Sequence, residues 1–131
     1  MNHLAYVDTS AFLKLLLSEP ETPALRLALT EWPELVSSEI LFIEASRAGI
    51  RESRQADIDT LLQGVTLLGY TAAVRQRAAT IGTAKLRTLD PIHLATAEAL
   101  DDNLGVIFTY DKRMLTDGPL EGLAVRAPAA T

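Results

Sequence analysis

Three aspartates and one glutamate stand at positions where a charge is costly unless it is used. Asp8 follows the apolar run Leu4 to Val7, and Asp111 comes shortly after Val106, Ile107 and Phe108. Asp90 precedes Pro91 and the largely apolar stretch Ile92 to Leu100, and Glu44 falls on an apolar helix side, one turn after Ile40. A carboxylate on such a face must be paired, metal-bound or neutral. Four of them crowded together push at least one pKa up, and a divalent cation removes that penalty. One such ion neutralises half of the set and two neutralise all of it. The chemistry this permits is phosphodiester hydrolysis, in which a metal lowers the pKa of a bound water and neutralises charge developing on the phosphoryl oxygens. Mg²⁺ usually takes one or two protein carboxylates and keeps several waters, so four acids suit two ions, or one ion and a group that orients water. With no Cys and only His3 and His93, thiolate and His-rich sites are excluded, which leaves oxygen ligands and hence Mg²⁺ or Mn²⁺.

Each residue also has an ordinary reading. Pro fits the first position of a helix, so Asp90 can be an N-cap with Pro91 at N1. Glu44 can pair with Arg47 at i+3. Thr9, Ser10 and Thr109 can hydrogen-bond the acids from a second shell, or serve as caps and strand packing. Asp117 precedes Gly118-Pro119 and reads as a turn residue in preference to a further acid near the site.

The elements that must position these residues alternate between strand and helix. Leu4 to Val7 reads as a buried strand, Ala11 to Leu17 and Ala24 to Glu31 as helices, Leu35 to Ser37 as a short strand and Glu39 to Arg51 as a helix with Ser38 as its cap. On that helix Ile40, Ile43, Ala48 and Ile50 supply the apolar stripe, with Arg47, Arg51 and Arg54 as a basic ridge. Gln55 to Gln63 (helix), Val65 to Tyr70 (strand), Ala72 to Lys85 (helix) and the Asp90 helix follow. The chain then closes with strand Val106 to Phe108, a single helical turn at Lys112 to Leu115, edge strand Leu123 to Arg126 and a frayed tail at 127–131. This alternation implies a three-layer α/β/α single domain over 1–131 with a mainly parallel central sheet. Ligands of such sheets bind outside the carboxyl ends of the strands, where Asp8 and Asp111 fall.

At 131 residues and 48% hydrophobic content the chain supports one core. The net charge of −5 argues globally against a polyanionic partner. Charge acts locally, however, and Lys14, Arg47, Arg51, Lys112 and Arg113 all lie near the acids in sequence, where they would grip substrate. Asp8 and Lys14 interrupt the first apolar runs, so neither a signal peptide nor a membrane span is expected, and the location expected is cytoplasmic.

Tyr6-Val7-Asp8-Thr9-Ser10-Ala11, Glu44, Leu89-Asp90 with Ile92-His93-Leu94-Ala95-Thr96-Ala97, and Phe108-Thr109-Tyr110-Asp111-Lys112-Arg113-Met114 resemble PIN-domain ribonucleases. More narrowly, they resemble VapC-type toxins of bacterial toxin–antitoxin pairs, from Leu4 to about Val125. That resemblance implies a Mg²⁺- or Mn²⁺-dependent endoribonuclease that inhibits translation and growth, with Asp8, Glu44, Asp90 and Asp111 as the metal-holding quartet. Thr9 or Ser10 and Thr109 match supporting polar positions, and His93 does not match a catalytic base. It also implies RNA as substrate, a small cognate antitoxin whose carboxyl-terminal segment covers the site, and a homodimer. The segments Ala11 to Leu17 and Ala24 to Leu29 offer either a groove for that partner or ordinary core. Two rivals remain: an inactive RNA- or protein-binding module of the same fold, and a receiver-type phosphoacceptor, which would need adjacent acids after its first strand.

Overall fold

Strand β1 (Leu4–Val7) is buried along its whole length, and its neighbours in the sheet follow from that. A strand covered on both faces by helices is a continuous apolar run in a parallel sheet. The computed structural model describes residues 2–130. Among them, β1 is followed by α1 (Thr9–Leu16), α2 (Thr22–Leu29), β2 (Glu34–Ser38), α3 (Ile40–Arg51), α4 (Gln55–Leu62), β3 (Thr66–Leu68) and α5 (Ala72–Ala78). Then come α6 (Asp90–Glu98), a 3-10 turn at Asp101–Asn103, β4 (Leu104–Phe108), α7 (Lys112–Leu120) and β5 (Val125–Arg126). The five strands pair in the order β3-β2-β1-β4-β5, all parallel. The expected three-layer architecture is borne out.

Alternation along the strands divides the core. Leu4, Tyr6, Val36 and Ile107 pack with Leu94, Ala97 and Met114 of α6 and α7. Ala5, Val7, Val106 and Phe108 pack with Ala11, Leu25 and Ala28 of α1 and α2. A third cluster joins Phe12 and Leu16 to Leu41, Ala45 and Ile58 of α3 and α4. The apolar residues of α1 and α2 are therefore largely spent on the core. What they leave with α4 is a cleft of about 210 Å³ lined by Leu15, Leu16, Arg26, Arg54, Asp57, Thr60 and Leu61.

Several local expectations are corrected. The buried face of α3 is Leu41, Ala45, Ala48 and Gly49, whereas Phe42, Ile43 and Ile50 are exposed. Small residues let α4 come close on that face, which pushes the larger side chains outward. Arg54 is not part of a basic ridge, because it pairs with Asp57. Helix α5 stops at Ala78, since Ile81 turns into the core and the next N–H groups, of Gly82 and Thr83, are taken by Glu121 and Asp117. Helix α7 runs through Asp117-Gly118-Pro119 in place of the turn those residues predict. Gly118 serves close packing there: a Cβ would stand 2.6 Å from Val125 Cγ1. Of the 127–131 tail, residues 127–130 form a turn in which Pro128 accepts the Tyr110 hydroxyl at 2.8 Å, and Thr131 lies outside the described residues.

Candidate metal centre and active site

Sheet register places the first acid. Strands β1 and β4 align Tyr6 with Ile107 and Val7 with Phe108, so the next residues outward, Asp8 and Thr109, stand together at the carboxyl edge. Asp8 is only 2% exposed. Its Oδ1 accepts the Ala11 N–H at 2.9 Å, capping α1, and the Ser10 hydroxyl at 2.7 Å, while Oδ2 accepts the Thr109 hydroxyl at 2.5 Å. Burial pushes the Asp8 pKa above the ordinary aspartate value, although His93 nearby and the bonds from Thr109, Ala11 and Ser10 pull it down.

Thr109 ties this acid to the next. Its hydroxyl oxygen accepts the Asp111 N–H at 3.1 Å, and Asp111 Oδ1 caps α7 by accepting the N–H groups of Arg113 and Met114 at 2.8 and 3.2 Å. Ser10 closes the link, accepting the Tyr110 N–H at 2.8 Å. Asp8 takes the capping position expected of Thr9 or Ser10, which frees both hydroxyls for the acids.

Asp90 is not the N-cap of α6 but its first helical residue, with Leu89 in the cap position. Its Oδ2 accepts the Arg87 N–H at 3.1 Å while its own N–H donates to the Arg87 carbonyl. This reciprocal pair resembles a capping box and faces the carboxylate back along the incoming chain. Burial raises the Asp90 pKa, and the negative charges of Asp111 and Asp8 raise it further.

Glu44 meets the site from α3. Its Oε1 accepts the Thr9 hydroxyl at 2.5 Å and lies 3.0 Å from His93 Nε2. Burial alone would raise the Glu44 pKa, but the bonds from His93 and Thr9 bring it below the ordinary value. The alternative pairing with Arg47 is not formed among the described residues, where His93 is the hydrogen-bond partner.

The structure thus brings Asp90 within electrostatic reach of Asp8 and Asp111 and turns Glu44 towards His93. Among the described residues no three acidic or His side chains are already grouped as a metal cage. The donor set nevertheless fits a hard divalent cation: every acid offers oxygen, and Asp90 is held in a field of like charge that a cation relieves.

The cations near the acids divide into two groups. Lys14 binds Glu19 and Glu21 at 2.9 and 3.1 Å and lies over the Tyr110 ring, and Arg113 stands 3.7 Å from Asp111. Arg47, Arg51 and Lys112 are exposed and make no ion pair among the described residues. Two features escape a reading of the sequence. Asp117 is buried and its Oδ2 accepts both the N–H and the hydroxyl of Thr83 at 2.7 Å, fastening the loop that leads to Asp90. Tyr6 reaches His93 with its hydroxyl, at 2.6 Å from Nδ1. Inward polar residues on a strand and a helix are the only signal for that contact.

The profile of the PIN domain matches residues 5–116. The chain is 37% identical over 134 residues to ribonuclease VapC47 of Mycobacterium tuberculosis, covering 97% of this chain and 98% of that protein. It is 40% identical over 126 residues to ribonuclease VapC46 of the same species, covering 95% and 97%. Its fold is similar to that of a toxin–antitoxin complex from Klebsiella pneumoniae, with a TM-score of 0.71 at 20% identity, covering 97% of this chain and 99% of that one.

Proposed function

The chain belongs to the PIN-domain family, and from that premise we propose that it is an endoribonuclease that cleaves RNA phosphodiester bonds, the toxin of a toxin–antitoxin pair. The observation that supports this best is the carboxyl edge of the sheet, where Asp8 and Asp111 follow β1 and β4 and are joined through Thr109, with the Asp90 carboxylate in the field of both. Isolated caps would not need to converge.

The finer reading is that Mg²⁺ or Mn²⁺, one or two ions, is held by Asp8, Asp90, Asp111 and Glu44. A divalent ion bound there supplies a water of lowered pKa and neutralises charge on the scissile phosphate. The chain's own groups do the rest. Thr109, Ser10 and the Ala11 N–H fix both oxygens of Asp8, so its lone pairs keep one direction. The capping bonds do the same for Asp111. Thr9 orients Glu44. Arg47, Arg51 and Lys112 provide charge for the RNA backbone, while Lys14 and Arg113 are already engaged and contribute less. A small antitoxin is the proposed protein partner, in keeping with the Klebsiella complex and the VapC relatives. A second copy of the chain is proposed on the exposed face of α3, where Phe42, Ile43 and Ile50 repeat at helical spacing. Among the described residues no helix is long and apolar enough to cross a membrane, and the cytoplasm is the proposed location.

Incubating the partner-free protein with total RNA in Mg²⁺ or Mn²⁺ and mapping new ends tests the function. Discrete ends that vanish with EDTA are the expected outcome. Absence of cleavage across RNA pools by folded, metal-binding protein would favour the inactive binding module.

A further inference from the structure

Backbone N–H groups anchor three of the four acids: Ala11 for Asp8, Arg87 for Asp90, Arg113 and Met114 for Asp111. Glu44 is different. It projects from the middle of α3, where backbone donors are committed to the helix, and its partners are the side chains of Thr9 and His93. His93 is 2% exposed and held at both ring nitrogens, Nε2 to Glu44 with the Thr9 hydroxyl oxygen 3.1 Å away, and Nδ1 to Tyr6. The Tyr6 ring meets it edge-on, with centroids 5.7 Å apart at 78°. Tyr6 is fully buried among Leu4, Val36, Leu94 and Ile107, and its hydroxyl oxygen accepts the Ser38 N–H at 3.1 Å.

Hydrogen-bond chemistry gives this chain a direction. An ionised carboxylate only accepts, so Nε2 carries the hydrogen that points at Glu44. In a neutral imidazole Nδ1 then only accepts, so the Tyr6 O–H donates to it and keeps a lone pair for Ser38. Leu and Phe at these two positions would pack without any need for partners. Two buried polar side chains are justified energetically only by the bonds they make.

We propose that Tyr6 and His93 are positioning residues that hold the Glu44 carboxylate for the metal, replacing the backbone anchors its three companions have. The relay Ser38 N–H to Tyr6 O–H to His93 to Glu44 crosses β2, β1, α6 and α3, so it also fixes α3 against the sheet edge at the site. The inference rests on the reading of Glu44 as a metal-holding residue.

The test is Mn²⁺ binding to the metal-free protein, read by calorimetry and by the electron paramagnetic resonance of free Mn²⁺, with thermal melting as the fold control. The amide nitrogen of His93→Gln reaches the place of Nε2 and can still donate to Glu44, whereas that of His93→Asn stops near Nδ1. Loss of such an outer partner weakens metal binding about 10- to 100-fold. His93→Asn is expected in that range and His93→Gln within about threefold of wild type, on the same scale. Tyr6→Phe keeps the ring packing and decides the matter should His93→Asn not fold; it is expected to weaken binding several-fold. The imidazole ¹⁵N spectrum of wild type should show hydrogen on Nε2 and none on Nδ1. Equal losses in the Gln and Asn variants, or the opposite tautomer, would overturn the relay. Wild-type binding by Tyr6→Phe and His93→Asn alongside weakened binding by Glu44→Gln would overturn the relay alone. Wild-type binding by Glu44→Gln would overturn the reading of Glu44 itself.

Discussion

Replacing Asp90 by Asn should make the metal-free protein more stable while abolishing its activity. Asn keeps an acceptor for the Arg87 N–H, so the local turn survives. What disappears is a carboxylate whose pKa is raised by burial and by the charges of Asp111 and Asp8. Interactions between part-exposed charges are typically worth about 0.2–1 kcal/mol, and relief of the repulsion from Asp111 and Asp8 falls on that scale. For a domain of this size that is a rise in Tm of up to roughly 5 °C. The sign with pH follows from linkage. A carboxyl with a raised folded pKa favours folding below the unfolded aspartate value of about 3.9, and that contribution is lost as pH rises through the folded value. The advantage of the variant should therefore be full at pH 7 and vanish as the pH falls towards 3. Mg²⁺ at about 100 times its Kd stabilises a binding-competent protein by about 2.7 kcal/mol, so adding it should invert the ranking in favour of wild type. Thermal melts in EDTA and in Mg²⁺ across pH 3–8 measure all of this. A variant less stable than wild type in EDTA at pH 7, with Mg²⁺ moving neither protein, would refute the reasoning and leave Asp90 a structural residue.

Asp117→Ala removes a buried acceptor of two bonds to Thr83 and should cost about 2–4 kcal/mol in denaturant unfolding, with faster amide exchange over the loop leading to Asp90. Gly105→Ala sets a Cβ 2.2 Å from the Trp32 ring and 2.7 Å from the Asn2 carbonyl, so a loss of about 1–3 kcal/mol is expected in the same assay. Changing Arg47 and Arg51 together to Ala should weaken RNA binding and reduce the slope of log K against log salt by about 1.4, at about 0.7 per phosphate contact on a single strand. Lys14→Ala, already engaged by Glu19 and Glu21, should leave that slope nearly unchanged.

What is legible in the sequence is what depends on local pattern. Alternation of apolar and polar residues is absent from β1, and its unbroken apolar run Leu4-Ala5-Tyr6-Val7 leads correctly to a strand buried on both faces, with Asp8 at its end. The placing of Asp8 and Asp111 just beyond the carboxyl ends of β1 and β4 follows from the topology of parallel sheets. Contacts made by long-range packing are not legible. Asp117-Gly118-Pro119 carries every mark of a turn, yet Asp111 caps a helix that runs through it, and Gly118 is there for Val125. The stripe Ile40, Ile43, Ala48, Ile50 satisfies helical spacing, but the small residues Ala45, Ala48 and Gly49 decide which face α4 can approach. His93 reads as a packed helix residue, and nothing local to it names Tyr6 or Glu44 as its neighbours, which are 87 and 49 residues away.

Where a divalent ion binds is the most direct test of the acidic quartet. Crystals grown with Mn²⁺ and measured at the manganese absorption edge would locate it without reference to activity. An anomalous peak is expected at the carboxyl edge of the sheet, coordinated by oxygens of Asp8, Asp90 and Asp111 with Glu44 alongside or through water. A peak elsewhere, or no peak at a Mn²⁺ concentration that supports RNA cleavage, would contradict the assignment of these four residues as the metal centre.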